Sequence, residues 1–414
     1  MKKTHFYSIS IGTILEAYEN FLFLNFLPIL ILLFFPTEKE MTSRILALGG
    51  FVCSYFTRPL GSIIFGHFGD RIGRQKTLSF SIIISAFATA LMAFLPTFYD
   101  IGVVAPILMI SCRLIQGFCY GGETTSATVS FVEEIHPSHS GIAASLTTIS
   151  ILIGAMMANI ASLWVFNSDN LEIYWRLPFI GSSVAGLVGF YIRYKTSENQ
   201  HFQTLKKEKK LEIFPLYTVI EQYKSVLIYP ILLSSGVIVP FSLIYVYFPE
   251  IMRSHFDVGN SFIATLNTIL MMASIMLLPA MSYLSDRVGH KKVMIVSLFS
   301  LILISCLIFI FWGNSLSVSK IIFIQACLTI FWTSYTGPVN ALTVNLFPMQ
   351  LRCSSLALSA SVGVFIFSLT PVFLFSLKYW ISTEIKTGLW IIFSAGLNLF
   401  VLAKIPNIKQ ESHN

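Results

Sequence analysis

The sequence predicts an all-α membrane protein: twelve transmembrane helices in two pseudo-symmetric bundles of six. Three observations carry that expectation. Of 414 residues, 55% are hydrophobic and 11% charged, with a mean hydropathy of +0.75, whereas a soluble chain carries about 25% charged residues. Apolar runs of roughly 20 residues, the length that crosses a bilayer as a helix, recur along the whole chain. A charged stretch of the first half, GHFGDRIGRQK (66–76), returns in the second as SYLSDRVGHKK (282–292).

The first run, 8–35, follows Lys2 and Lys3 as a signal peptide would. It is too long for one, contains Glu16 and Glu19 and has no small-residue cleavage signature, so it is read as span 1. Spans 2 and 3, at 45–66 and 78–97, flank the charged loop with Asp70, Arg71 and Arg74. Span 4 (103–132) ends in EIHP, and spans 5 and 6 follow at 141–166 and 176–195. A polar segment, 196–225, contains LKKEKKLE and divides the chain into 1–195, linker and 226–414. The second set falls at 226–249, 260–284, 293–313, 318–345, 353–378 and 387–405. Here NLFP (345–348) echoes EIHP (134–137), a second repeat beside the Asp70-Arg71 and Asp286-Arg287 pair. Parallel duplication of a six-helix unit is one architecture of secondary transporters.

With both termini on one side, that side collects eighteen of the 27 Lys and Arg residues, Arg193 among them, and the opposite side seven. The excess places both termini in the cytoplasm. The net charge of +7 is therefore read as topology, and no basic soluble module offers a nucleic-acid site. The six cysteines stand singly in apolar runs without metal-ligand spacing, and are read as small buried side chains. No metal and no cofactor is expected. No phosphate-binding GxxxxGK[ST] loop or nucleophile arrangement stands out, so an enzyme is not expected.

An ionisable side chain at bilayer depth costs at least about 2.5–3.5 kcal/mol and marks a functional candidate. The cases are Glu16 and Glu19 in span 1, Arg58 in span 2, and Arg113 and Glu123 in span 4, with Glu133 at the end of span 4. At 1.5 Å per residue, Glu19 and Arg113 both fall near the midplane. Arg113, Gln116, Tyr120 and Glu123 share one stripe of span 4, and Glu16, Glu19, Asn20 and Phe23 one face of span 1. One reading is a polar cavity in which Arg113 takes a substrate carboxylate through its guanidinium fork. Glu19 or Glu123 then carries the proton, no histidine lying at that depth. The other reading is a permanent ion pair that fixes helix packing. Trp332 and Tyr335 of span 10, with Tyr245 or Tyr247, offer an aromatic wall suited to a quaternary ammonium.

RPLGSIIFGHFGDRIGRQKTL (58–78) resembles the signature between helices 2 and 3 of the major facilitator superfamily. GTILEAYENF (12–21), RLIQGFCYGGE (113–123), FVEEIHP (131–137), WRLPF (175–179) and NLFPMQLR (345–352) resemble its metabolite:proton symporter branch. That branch includes proline/betaine, 2-oxoglutarate, citrate and shikimate carriers. The resemblance covers essentially the whole chain. It implies the major facilitator fold, a central site between two rocking bundles, and entry driven by the proton-motive force. It also implies gating by Arg58, Asp70, Arg71, Arg74, Glu133, Asp286 and Arg287 at the helix ends. The chain departs from the pattern at Ala17, Glu19 and Asn20, where the branch has Trp, Asp and Phe, at His290 for Arg, and at Asn345 for Glu. The long coiled-coil tail of some osmosensing relatives is not expected.

The function expected is uptake of a small zwitterion or organic acid, with proline or glycine betaine ahead, by a monomer in the inner membrane. A 2-oxoglutarate-type dicarboxylate carrier is the alternative, which wants a second cavity cation. A sensor that binds without turnover is the alternative of another class.

Overall fold

A glycine at positive φ marks the same place in each half of the chain: Gly73 (φ 113°) and Gly289 (φ 106°), a backbone region closed to most side chains. Each is the single residue between two long helices. The computed structural model describes residues 3–36, 40–195, 215–312, 317–377 and 383–405. Among them twelve helical rods of spanning length follow one another. In the first half these are α1 (Lys3–Asn25, continued by Leu27–Phe34), α2 (Glu40–Ile72), α3 (Arg74–Phe94), α4 (Val104–Glu134), α5 (Ser140–Phe166) and α6 (Arg176–Lys195). In the second they are α7 (Lys224–Phe256), α8 (Asn260–Val288), α9 (His290–Trp312), α10 (Val318–Val344), α11 (Arg352–Ser368, continued by Thr370–Ser376) and α12 (Thr383–Lys404).

Two boundaries differ from the sequence reading. The expected loop 66–78 is helical except at Gly73, so Asp70 and Arg71 ride the last turn of α2. Asp286 and Arg287 ride the last turn of α8 in the same way. Of the expected linker, 215–222 is a helix and α7 starts at Lys224, while 196–214 lies outside the described residues.

Proline and local hydrogen bonding account for the broken rods. Pro28 removes a donor from the ladder, and α1 bends by 61° at Phe26. In α7, the first rod of the second half, Pro230 and Pro240 precede a π-turn over Leu243–Tyr247. Glycines bring other rods unusually close. A Cβ on Gly117 would lie 1.9 Å from the Ser54 carbonyl oxygen, and one on Gly61 1.8 Å from that of Phe118. The α2–α4 approach therefore depends on small residues, as is common between helices in lipid.

Apolar stripes are turned outward on the peripheral rods. Phe80, Ile84, Phe87, Leu91 and Phe94 of α3 are exposed at helical spacing, as are Val296, Phe299 and Leu303 of α9. Val184, Leu187 and Val188 of α6 and Leu389, Phe393 and Phe400 of α12 are exposed likewise. Such faces fit a hydrocarbon surround. The inner rods meet along a seam where α5 packs on α8 and α10, and α2 on α11. This seam surrounds the candidate site.

Candidate functional site

A cavity of about 220 Å³ lies between α1, α2, α4 and α5 on one side and α7, α10 and α11 on the other. Arg58 is the one charged residue among its described lining residues, and no Asp or Glu is among them. The Arg58 guanidinium is sandwiched 3.8 Å from the ring centre of Tyr55 and 4.1 Å from that of Tyr120. Its Nη2 donates a long 3.5 Å hydrogen bond to Asn20 Oδ1, and its buried Nε has no partner. Thr124, Thr125, Thr128, Thr147 and Thr148 give the first half a hydroxyl-rich wall. Phe21, Phe241 and Trp332 give an aromatic one, with ring centres 5.9 Å apart for Phe21–Phe241 and 5.7 Å for Phe241–Trp332. Trp332 is fixed by an indole N–H bond of 2.9 Å to the Val237 carbonyl. Tyr335 is turned away from the cavity: its hydroxyl donates to Asn398 Oδ1 at 2.6 Å, beside Gly236.

Behind Asn20 is a second, much smaller chamber of about 10 Å³, on the scale of one water molecule. Glu16, Glu19, Asn20, Ser85, Arg113, Gln116 and Tyr120 are among the residues around it. Arg113 is buried and does not line the central cavity. Its guanidinium donates to Gln116 (2.9 Å), Ser54 (3.0 Å) and Asn20 (3.1 Å), and packs 4.5 Å from the Phe23 ring centre. Glu19 accepts from Ser85 on α3 and, at 3.3 Å, from Ser182 on α6. Glu16 is 4% exposed, and neither carboxyl oxygen has a hydrogen-bond partner.

Glu123 has a partner that sequence reasoning missed. Arg193 is buried and grips both Glu123 carboxylate oxygens, one of them at 2.6 Å. It also donates to the Ser8 (3.1 Å) and Ile9 (3.2 Å) carbonyls of α1. Gly12 makes room, since a Cβ there would lie 1.9 Å from the guanidinium. Thr13 adds a 3.4 Å bond to Glu123. Arg193 counts with the cytoplasmic charges by sequence, yet it lies within the apolar run 176–195. The structure buries its side chain against Glu123.

The helix-end residues form two matching latches across the seam. Asp70 Oδ2 accepts from the Ser354 N–H (3.0 Å) and hydroxyl (2.6 Å) at the start of α11. Asp286 accepts from the Gly141 (2.7 Å) and Ile142 (3.2 Å) N–H groups at the start of α5. Each carboxylate thus meets the unpaired donors and positive dipole end of a helix from the other half. Glu133 lies 4.0 Å from Arg352 across the same seam. His290 joins Asp286 (3.8 Å), Ser140 (3.2 Å) and Ser285 (3.1 Å). It stands before the apolar run 293–313, and burial holds its imidazole below the ordinary value, while Asp286 works against that. Arg71 and Arg287 are exposed, Arg287 lying over Tyr283 at 4.5 Å. The Arg74 side chain lies outside the described residues. Of the residues assigned to gating, Arg58 is placed on the central cavity instead.

Known proteins share this architecture. Over 416 residues the chain is 27% identical to the inner membrane metabolite transport protein YhjE of Escherichia coli, covering 97% of this chain and 93% of that one. It is 28% identical to the proline/betaine transporter of Salmonella typhimurium (82% and 70% covered) and 24% identical to the citrate-proton symporter of Klebsiella pneumoniae (94% and 88%). The solved structure of the proton:xylose symporter XylE superposes with a TM-score of 0.80 at 13% identity, covering 97% of this chain and 94% of that one. The Major Facilitator Superfamily profile matches residues 9–371 and 232–409. The chain therefore belongs to the Major Facilitator Superfamily, and is a multi-pass secondary transporter rather than an enzyme.

Proposed function

We propose that this protein couples the uptake of a small carboxylate-bearing metabolite, a zwitterion of the proline or glycine betaine type, to proton entry by alternating access. The observation that carries the reading is the pairing of an under-bonded cation on the cavity with a partnerless carboxyl behind it. Arg58 is the group placed to receive a carboxylate, and Arg113 supports it from the back wall. Phe21, Phe241 and Trp332 suit a quaternary ammonium through cation–π attraction. Glu16 is the favoured proton carrier, because an ionised carboxylate there would stand buried with no donor to either oxygen. Glu19 is held by two hydroxyl donors and Glu123 by Arg193, which suits them to positioning.

In this reading the face bearing Asp70 and Asp286 is cytoplasmic, as the Lys and Arg distribution favours. Residues 1–195 and 226–414 then rock about the cavity as two bundles, and the latches part when the cytoplasmic side opens. The protein acts as a monomer in the inner membrane with both termini inside.

A second reading, a dicarboxylate:proton symporter, is favoured by the second guanidinium: Arg113 and Arg58 share the one Asn20 oxygen. Uptake of labelled glycine betaine, proline and 2-oxoglutarate into proteoliposomes, with and without an inward proton gradient, separates the two. Gradient-dependent uptake of betaine or proline is the expected result. Movement of 2-oxoglutarate alone would select the second reading. Binding of a probe without uptake, in vesicles holding folded protein, would select a sensor.

A further inference from the structure

The Asn20 side chain accepts from both guanidinium groups of the site. Its Oδ1 accepts from Arg113 Nη2 at 3.1 Å and from Arg58 Nη2 at 3.5 Å, and its residue borders both the central cavity and the small chamber behind. The two arginines are not held alike. Arg113 has further bonds to Gln116 and Ser54. Among the described residues, Arg58 has no hydrogen bond other than the long one to Asn20, and its Nε is buried without a partner. A guanidinium has five donors to satisfy. Stacking between Tyr55 and Tyr120 holds the Arg58 plane in place but fills none of them.

We propose that Asn20 is a specificity-determining residue: its neutral carbonyl keeps Arg58 aimed at the cavity while leaving it free for a substrate carboxylate. Both bonds to Asn20 already have an ionised donor, but a carboxylate puts a charge on the acceptor as well and can take two guanidinium N–H groups at once. An incoming carboxylate therefore out-competes Asn20 for Arg58 and supplies the negative charge that the described lining of the cavity lacks. The freed Oδ1 remains with Arg113, so the back wall keeps its geometry when the cavity is filled. An acid at this position would instead close Arg58 and Arg113 into a permanent ion pair. A large apolar side chain would leave Arg58 with stacking alone. The inference rests on the carboxylate-at-Arg58 reading above.

The test is equilibrium binding of labelled glycine betaine and labelled 2-oxoglutarate to detergent-solubilised wild type, Asn20→Asp, Asn20→Gln and Arg58→Gln. A thermal melt of each establishes that it is folded. Asn20→Asp is expected to weaken binding about tenfold or more, and to weaken it further for the dianion than for the zwitterion. Asn20→Gln keeps a neutral carbonyl and is expected to lose less than the acid. Equal losses in the Asp and Gln variants, with no dependence on probe charge, would reduce Asn20 to a packing residue and overturn the proposal. Unchanged binding in Asn20→Asp, with binding abolished in Arg58→Gln, would also overturn it and leave the reading of Arg58 intact. Unchanged binding in Arg58→Gln, or a folded wild type that binds neither probe, would overturn both.

Discussion

Glu123 and Arg193 form the most deeply buried ion pair described, reinforced by two α1 carbonyls and Thr13. Removing one partner leaves the other charge buried without compensation, a loss of about 3–5 kcal/mol. Arg193→Ala is therefore expected to lower the melting temperature in detergent well below wild type. The double variant Arg193→Met with Glu123→Leu is expected to melt above either single variant; additive losses would contradict the pair. Half of this pair was legible in the sequence, because a glutamate inside an apolar run stands out. Its partner was not, because Arg193 falls near the end of span 6, where a run of basic residues begins and a loop charge looks the same. Arg58 shows a related limit. Sequence position assigns it to a signature at the end of helix 2, yet it lies three turns from Asp70 and faces the cavity.

The elements most constrained by sequence are the two turns at Gly73 and Gly289. Ala at either position would be held at φ 106–113° and ψ 130–145°, a region essentially closed to residues other than glycine, at a cost of about 1–3 kcal/mol. Gly73→Ala and Gly289→Ala are each expected to lose folded yield by size-exclusion profile; a normal profile would show that the turn relaxes. The latch at α8–α5 contains a titratable group, His290, beside Asp286, Ser140 and Ser285. Its imidazole is held below the ordinary value of about 6.5, so the folded latch binds a proton less readily than the unfolded chain. The stabilisation is complete above that value and fades as the pH falls through it. Melting temperature is expected to fall between pH 7.5 and 5.5 in wild type, and to fall less in His290→Gln. Rods and turns were legible because apolar length and the repeated Asp-Arg-x-Gly spacing are local signals. The broken α7 was not fully so: its prolines are visible, but the π-turn at Leu243–Tyr247 depends on packing against other rods.

At the scale of the whole molecule, the duplication explains why two carboxylates, Asp70 and Asp286, cap the α11 and α5 starts across one seam. In the proposed alternating access, both contacts release for that face to open. Asp70→Asn loses the charge facing the helix dipole, and is expected to reduce uptake several-fold while membrane insertion stays intact. Normal uptake would remove the gate from the mechanism. The succession of helical rods, the repeat and most of the buried charges were readable from the sequence. The cavity's cation was not, because helix periodicity places residues on faces but does not decide which face meets space and which meets another helix. In the proposed transport cycle the Glu16 carboxyl carries the proton while Arg58 takes the substrate. Its most direct test is proton influx, followed with a pH-sensitive dye inside proteoliposomes, on adding glycine betaine or 2-oxoglutarate to wild type and Glu16→Gln. Substrate-dependent influx is expected in wild type and none in Glu16→Gln, with probe binding retained in the variant. Influx undiminished by Glu16→Gln would contradict that cycle.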